Sequence, residues 1–302
     1  MVTFDALSKR SASTRRLVLL AAAKVNLALE VLGKRADGYH EIATVLQAVD
    51  LSDRVVLEEA AGLEFRTSGD GVPSDERNLA LRAAAALRDA AGVTRGVRIT
   101  LEKRIPVAAG LGGGSTDAAA VLVGLNRLWR LRWPVAKLAD VAGALGMDVP
   151  FFLRGGVALG TGRGEQLEPL RGGMLALVLV NPGFGVSTAE IYGRVTPAAL
   201  TDGARCGGLI EALRQRSTER VAARLYNGLE AAAASHPEIA RMKAALLAAG
   251  ALGAVMSGSG PTVFGVARSG GHARQIRDRV ARGSWRCWAV RTLAGSAIRV
   301  RG

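Results

Sequence analysis

The sequence predicts an α+β fold divided between two domains, on three observations. The 302 residues are 49% hydrophobic and 22% charged, enough apolar material for one large or two ordinary cores. Stretches with strand alternation and stretches with helical spacing follow one another without a 20–50-residue repeat. Arg171-Gly172-Gly173 breaks the pattern near the middle and is the expected hinge. It separates domains at 17–171 and 172–302, behind a basic, poorly ordered extension at 1–16.

The first domain opens on a strand, Leu17–Leu32, in which Lys24 and Asn26 are two apart and share a face. A strand lysine is commonly an edge charge that blunts aggregation; the other reading is a cation aimed into a cleft. The basic residues before Leu17–Ala23 give that stretch the look of a secretory signal, yet the apolar run continues past Lys24 with no processing boundary. Gly33–His40, GKRADGYH, is a turn-rich loop that brings Tyr39 and His40 together, as a loop anchor or as a platform for a base. Strands are expected at 41–50 and 53–59, with a third at 62–67. A helix runs from Asn78 to Ala91 and closes at Gly92.

The stretch from Lys103 to Arg130 organises the rest. A strand over Val97–Lys103 leads through Pro106 into four glycines within Gly110–Gly114, and a run with helical spacing follows to Trp129. Ser115 and Thr116 are good N-caps, and Asp117 suits the positive end of a helix dipole. Glycines that admit a close ligand, beside a helix N-terminus, make an anion site of the kind that holds nucleotide phosphates. Ser115-Thr116-Asp117 stands where a Walker A loop needs Gly-Lys-Ser/Thr, and Ser115 replaces the third glycine of a dinucleotide fingerprint. A helix at Pro134–Leu145 then leads to Gly146-Met147-Asp148-Val149-Pro150. The residues alone favour Asp148 as an N-cap over a functional acid.

In the second half, Met174–Val180 is a strand, and Ser187-Thr188-Ala189-Glu190 reads as a capping box that starts a short helix through Tyr192. Helices follow at 208–215, 218–226, 237–249 and 271–282. A tight loop at Met256–Pro261 and terminal strands at 286–292 and 297–300 complete the pattern.

The net charge of +14 invites a nucleic-acid partner, but only 6 of the 40 basic residues are Lys, the Arg are scattered, and aromatics are 4%. The expectation is no nucleic acid, with the positive field attracting an anionic small substrate. Cys206 and Cys287 stand alone, which points to a reducing, cytoplasmic compartment without disulfides or structural zinc. No apolar run approaches the roughly 20 residues of a membrane span.

Three separated stretches resemble the motifs of the GHMP small-molecule kinases: Lys24–His40 (KVNLALEVLGKRADGYH), Pro106–Ala120 (PVAAGLGGGSTDAAA) and Ser257–Phe264 (SGSGPTVF). Gly146–Phe152 is similar to the segment that carries that family's acidic residue. The likeness runs from about Leu17 to the C-terminus. It implies a ribosomal S5 domain 2-like N-terminal domain with a left-handed crossover, followed by a ferredoxin-like α/β domain. D-G-Y-H and the triple glycine point to a branch that phosphorylates, with ATP and Mg²⁺, the tertiary 2-hydroxyl of a methylerythritol carried on cytidine diphosphate, in non-mevalonate isoprenoid synthesis. A monomer or weak homodimer is expected.

By position, Asp148 matches the family's catalytic acid and Lys24 the lysine paired with it. Pro106, Val107, Ala108, Ala109, Gly110, Leu111, Gly112, Gly113, Gly114, Ser115 and Thr116 match the ATP loop, and Asn78 an adenine contact. The wider family has Ser-Ser where Gly113 and Gly114 stand, so Ser115 is left as the hydroxyl near phosphate or metal, with no other side chain assigned to Mg²⁺. Tyr39 and Tyr192 match the aromatics that sandwich the cytosine, His40 the reader of its edge, and Asn26 and Thr188 the erythritol contacts. The rival readings are a sugar, homoserine or mevalonate kinase of the same family and an inactive homologue that only binds.

Overall fold

The computed structural model describes residues 15–69 and 71–301. Residues 1–14 of the expected extension lie outside the described residues, and a strand already begins at Arg16. The first half runs β1 (Arg16–Lys34), β2 (His40–Ala60), β3 (Leu63–Thr67), α1 (Leu79–Ala91), β4 (Gly96–Glu102), α2 (Gly113–Leu128), α3 (Val135–Leu145), α4 (Val149–Arg154), β5 (Val157–Thr161) and β6 (Gln166–Pro169). The second half runs β7 (Ala176–Asn181), α5 (Thr188–Gly193), α6 (Ala204–Arg214), α7 (Thr218–Ala223), β8 (Tyr226–Asn227), α8 (Pro237–Ala248), β9 (Gly253–Met256), β10 (Val263–Ala267), α9 (Gly270–Val280), β11 (Arg286–Arg291) and β12 (Ile298–Arg301).

β1 and β2 are long because nearly every residue of both finds a buried neighbour, so the backbone has no exposed stretch at which to stop pairing. The two strands expected at 41–50 and 53–59 are one: the register shifts between Ala22 and Ala23, opposite Asp50–Leu51, and β2 bulges through instead of turning. The resulting sheet has the order β12-β1-β2-β4-β3. β5 pairs with the first part of β2 and with β6, and β8 pairs with β1. Lys24 is therefore on an interior strand, and the edge-charge reading falls. The Leu17–Ala23 stretch that resembled a signal is core strand, with Leu19 and Ala21–Ala23 fully buried.

β3, α1 and β4 form a crossover between parallel neighbours, and α1, α2, α3 and α4 cover one core made with Leu19, Leu57 and Ile99. The second half builds an antiparallel sheet, β11-β7-β10-β9, packed by α8 and α9 around Leu246, Val263 and Ile276. Two segments of this half return to the first sheet: β12 pairs antiparallel with β1, and β8 parallel with it. α6 begins at Ala204, four residues before its expected start. Asp202 Oδ1 accepts the Ala204 N–H at 3.0 Å, and the buried Glu30 carboxylate of β1 accepts the Cys206 N–H at 2.8 Å, so the first turn is held from the adjoining loop and from another strand. Among the described residues no helix is long and apolar enough to cross a membrane.

α2 approaches the sheet so closely that a Cβ on Gly124 would lie 2.3 Å from Leu57 Cδ1 and 3.0 Å from Leu19 Cδ1. Gly124→Val should thus destabilise the chain by about 1–3 kcal/mol through overpacking, seen as a lower midpoint in urea unfolding.

Candidate active site

The site begins where β4 ends. Asp53 of β2 accepts the N–H groups of Arg104 and Ile105 on Oδ1, at 2.5 and 2.8 Å, and so turns the chain out of the sheet. Lys103 then places its ammonium between Asp53 and Asp117, bonding the Asp117 carboxyl at 2.9 Å. Burial opposes the lysine charge, but the two acids outweigh it and hold its pKa above the usual value. Burial pushes the Asp117 carboxyl up to about 8, with Lys103 opposing and Asp53 adding to the shift. The two directions agree if the trio holds one extra proton: Lys103 stays charged and Asp117 is the acid that goes neutral. Asp117 Oδ1, buried and without a hydrogen bond, suits that state.

Above this trio lies the glycine loop. Ala108 (φ 50°), Gly110 (φ 74°) and Gly112 (φ 68°) take left-handed backbone. A Cβ at Gly110 would lie 2.0 Å from Ser257 O, and one at Gly112 would lie 2.7 Å from the Phe152 ring, so neither position admits a side chain. α2 starts at Gly113 with Gly112 as its N-cap, so Ser115 and Thr116 are first-turn residues and not the caps expected of them. The first amides of α2 consequently remain unclaimed by side-chain caps and are available to an anion.

A cavity of about 1050 Å³ opens over the loop. Of the eleven loop residues singled out in sequence, Pro106, Val107, Ala108, Ala109, Gly110, Gly112, Gly113, Gly114 and Ser115 line it. Leu111 and Thr116 do not. Leu111 packs its side chain into the core and gives its carbonyl to the Lys24 N–H at 3.0 Å, while Thr116 is fully buried. Asn78 lines the cavity, but its amide is engaged: Oδ1 accepts from Ala80 N and caps α1, and Nδ2 donates to Pro73 O at 2.8 Å.

Lys24 reaches the same cavity from β1, buried to 4% exposure, and its Nζ stands 3.6 Å from Asp148 Oδ2. Nζ donates to Asn26 Oδ1 at 2.8 Å, Asn26 Nδ2 donates to Thr44 Oγ1 at 2.8 Å, and Thr44 Oγ1 donates to Ala28 O at 2.7 Å. This relay fixes the ammonium. Asp148 precedes α4 but makes no side-chain capping bond there, so the capping role favoured by its local sequence is not the one it has; its carboxylate faces Lys24 and the cavity.

A second region gathers the aromatics. His40 and Tyr192 meet at 5.3 Å between centroids, and Tyr39, half exposed, lines the cavity with them. Burial, and then Lys34, hold His40 below the usual histidine pKa, so the ring is neutral at pH 7 and offers one donor and one acceptor. Burial raises the Tyr192 phenol above its ordinary value, and nearby Asp148 adds to it. Thr188 Oγ1 shares a hydrogen bond with Ser259 Oγ at 2.8 Å. The loop at 257–260 ties the regions together: Ser257 Oγ donates to Gly110 O at 2.9 Å, and Asn227 Nδ2 bridges the carbonyls of Met256 and Gly258 at 2.8 Å each.

The sequence gives no role to Asp53, Lys103 or Asn227, and gives Ser259 only as part of the Ser257–Phe264 motif. Lys103 leaves a trace, as a lysine three residues before the loop's Pro106; the contacts of Asp53 and Asn227 cross 29 to 52 residues and leave no local signal. No group of three or more His, Cys, Asp or Glu able to hold a metal occurs among the described residues.

Comparison with known proteins gives concordant matches. Residues 78–156 match the family model described as GHMP kinases N terminal domain, and residues 209–285 that described as GHMP kinases C terminal. A 4-diphosphocytidyl-2-C-methyl-D-erythritol kinase from Pelotomaculum thermopropionicum is 47% identical over 280 residues, covering 91% of this chain and 98% of that protein. A protein of the same name from Moorella thermoacetica is 48% identical over 276 residues, covering 87% and 94%. A crystal structure of 4-(cytidine 5'-diphospho)-2C-methyl-D-erythritol kinase superposes with a TM-score of 0.79 at 40% identity, over 91% of this chain and 98% of that one. A homoserine kinase from Cytophaga hutchinsonii, 20% identical, shares the fold over both full chains with a TM-score of 0.76.

The buried trio sets a pH dependence. A proton retained on Asp117 in the folded state contributes stability that is full below the ordinary carboxylate range. That stability is lost as pH rises towards about 8. Asp117→Asn should flatten the decline by up to about 1.4 kcal/mol per pH unit between pH 5 and 8, read from urea unfolding at stepped pH.

Proposed function

The chain belongs to the GHMP kinase family, and on that premise we propose that it transfers the γ-phosphoryl group of ATP to the 2-hydroxyl of 4-diphosphocytidyl-2-C-methyl-D-erythritol. One observation carries the reading. The Lys24–Asp148 pair, the glycine loop and the Tyr39–His40–Tyr192 cluster all face one cavity, with the pair between the other two in function: phosphate donor on one side, cytidine handle on the other. The names of the relatives at 47% and 48% identity agree with it.

In this reading the triphosphate lies on the first amides of α2 and on the loop backbone, within the half that spans 17–171. Val72, Pro73 and Leu79 wall the nucleoside end, with Asn78 holding that wall in shape. The acceptor lies between the halves, with Thr188 and Tyr192 coming from 172–302. Asp148 takes the proton of the 2-hydroxyl as its oxygen bonds to the γ-phosphorus. The bond from that phosphorus to the bridging oxygen breaks, and ADP leaves with the electron pair. Lys24, fixed by Asn26, orients the hydroxyl and offsets charge that builds on the transferring group. Base–aromatic stacking, worth about 1–3 kcal/mol, makes the cytosine the recognition handle, and the neutral His40 matches the donor and acceptor of its edge.

The donor set suits a Mg²⁺ ion that is carried by the phosphates, not one caged by protein: Asp117 is closed off by Lys103, and Ser115 supplies a hydroxyl on the cavity side of the loop. Such an ion would neutralise phosphate charge, with Ser115 the side chain to hold it.

Three measurements test the assignment. In a coupled assay of ADP release, the cytidyl diphosphate substrate should support turnover, while mevalonate, homoserine and galactose should not. Asp148→Asn should then lower kcat by about 10²–10⁴-fold and leave ATP affinity intact by calorimetry; turnover near wild type would remove Asp148 from the chemistry. Tyr39→Ala should raise KM for the cytidyl substrate by about 5–150-fold and leave KM for ATP unchanged.

A further inference from the structure

The turn between β5 and β6 brings to the cavity a cation that the phosphate loop and the base cluster leave unused. Arg163 sits between Gly162 (φ 72°) and Gly164 (φ 105°), lines the cavity, and holds its guanidinium 5.1 Å from the centroid of the Tyr39 ring. The arginine is itself held: its N–H donates to Glu165 Oε2 at 2.7 Å, and its Nε lies 3.5 Å from Glu165 Oε1. The same turn is joined to the β1–β2 hairpin, since Ile42 N–H donates to Gly162 O at 2.8 Å.

Tyr39 needs a support of this kind. The residue is 52% exposed, and the hydrogen bonds that secure it run through its backbone: its N–H donates to Asp37 Oδ1 at 3.1 Å, and its carbonyl accepts from Arg35 N at 2.8 Å. Those bonds fix where the Cα stands and leave the ring to rotate. A cation over one ring face removes much of that freedom, because the ring quadrupole favours the stacked geometry and the flexible partner is already tethered to Glu165.

We propose that Arg163 is a positioning residue for base recognition: stacked on one face of Tyr39, it presents the other face to the cytosine of a cytidine diphosphate. The inference rests on the cytidyl reading of the site, and it assigns Arg163 an effect that passes through Tyr39 and not through contact with the ligand. Loss of the stack leaves the phosphate loop and the Lys24–Asp148 pair untouched, so the effect falls on affinity for one substrate only.

The test is a double-mutant cycle in steady-state kinetics on wild type, Arg163→Gln, Tyr39→Ala and the double variant, with ATP and the cytidyl substrate varied in turn. Arg163→Gln should raise KM for the cytidyl substrate about two- to fivefold, with kcat and KM for ATP unchanged, and should add nothing in the Tyr39→Ala background. An unchanged KM, or an effect that multiplies with that of Tyr39→Ala, overturns the inference. So does a parallel rise in KM for ATP, the mark of general damage. A wild-type chain that does not turn over the cytidyl substrate sinks the substrate reading itself, and that result is visible before any variant is made.

Discussion

The floor of the site depends on one ammonium. Lys103 binds a carboxyl of β2 on one side and a carboxyl of α2 on the other, and a Cβ on Gly113 would lie only 2.8 Å from its Nζ. The first turn of α2 is thereby pinned to the sheet at the point where its amides open towards the cavity. Breaking a buried pair of this kind typically costs about 3–5 kcal/mol, because the remaining charge cannot be rehydrated in place. The trio also explains how a loop with four glycines keeps one shape. Asp53 fixes its entry through Arg104 N and Ile105 N, Lys103 fixes its exit through Asp117, and Ser257 holds Gly110 between them. Amides preset in this way stabilise developing charge without reorganising as the reaction proceeds.

The second half of the chain completes the site by closing over it. Gly258 lies so near Lys24 and Asn26 that a Cβ there would stand 3.3 Å from both Lys24 Nζ and Asn26 Oδ1. Asn227 anchors that loop through two carbonyls, and β8, which carries Asn227, is hydrogen-bonded to β1 beside Asn26. The loop that touches the Lys24–Asp148 pair is therefore tied to the strand that supplies the lysine. β12 adds a further tie, pairing with β1 over Val18–Ala21. The halves meet through shared strands, so rotation of one against the other would break ladder hydrogen bonds and not merely slide a surface.

Most of the fold was legible from local signals. α1 lies within a residue of its expected span because Asn78 and Gly92 mark both ends by capping chemistry. β3, β4 and α8 likewise fall where alternation, Pro and Gly place them. The errors fall where partners distant in sequence decide. Asp148 has the neighbourhood of a cap, yet Lys24, 124 positions earlier, claims it. Ser115 and Thr116 have the chemistry of caps, yet the left-handed Gly112 starts the helix before them because Phe152 and Lys24 crowd that point. α6 starts early because Glu30, on another strand, takes an amide of its first turn alongside Asp202. β8 is two residues long, too short for any period to register. In the site, the motif residues were readable by resemblance and spacing, while Asp53 and Asn227 were not, since a contact made across the fold leaves no mark on the residues beside it.

The charge of +14 bears on the site in a way that composition alone would not suggest. The lysines that reach the cavity floor are already matched: Lys24 by Asp148, and Lys103 by Asp53 and Asp117. On the proposed function a triphosphate would meet there few uncompensated cations, and its affinity would come from main-chain N–H groups and the α2 dipole, which act over the length of a hydrogen bond and no further. Position then matters more than charge. An ammonium with spare charge could hold phosphate in many poses, whereas a ring of amides accepts one. The same economy applies at the acceptor, where Asn26 spends its carbonyl on holding Lys24 still. Phosphoryl transfer requires an oxygen in line with the breaking bond, so a floor that is rigid, neutral overall and shaped by backbone serves that geometry better than a richer supply of cations.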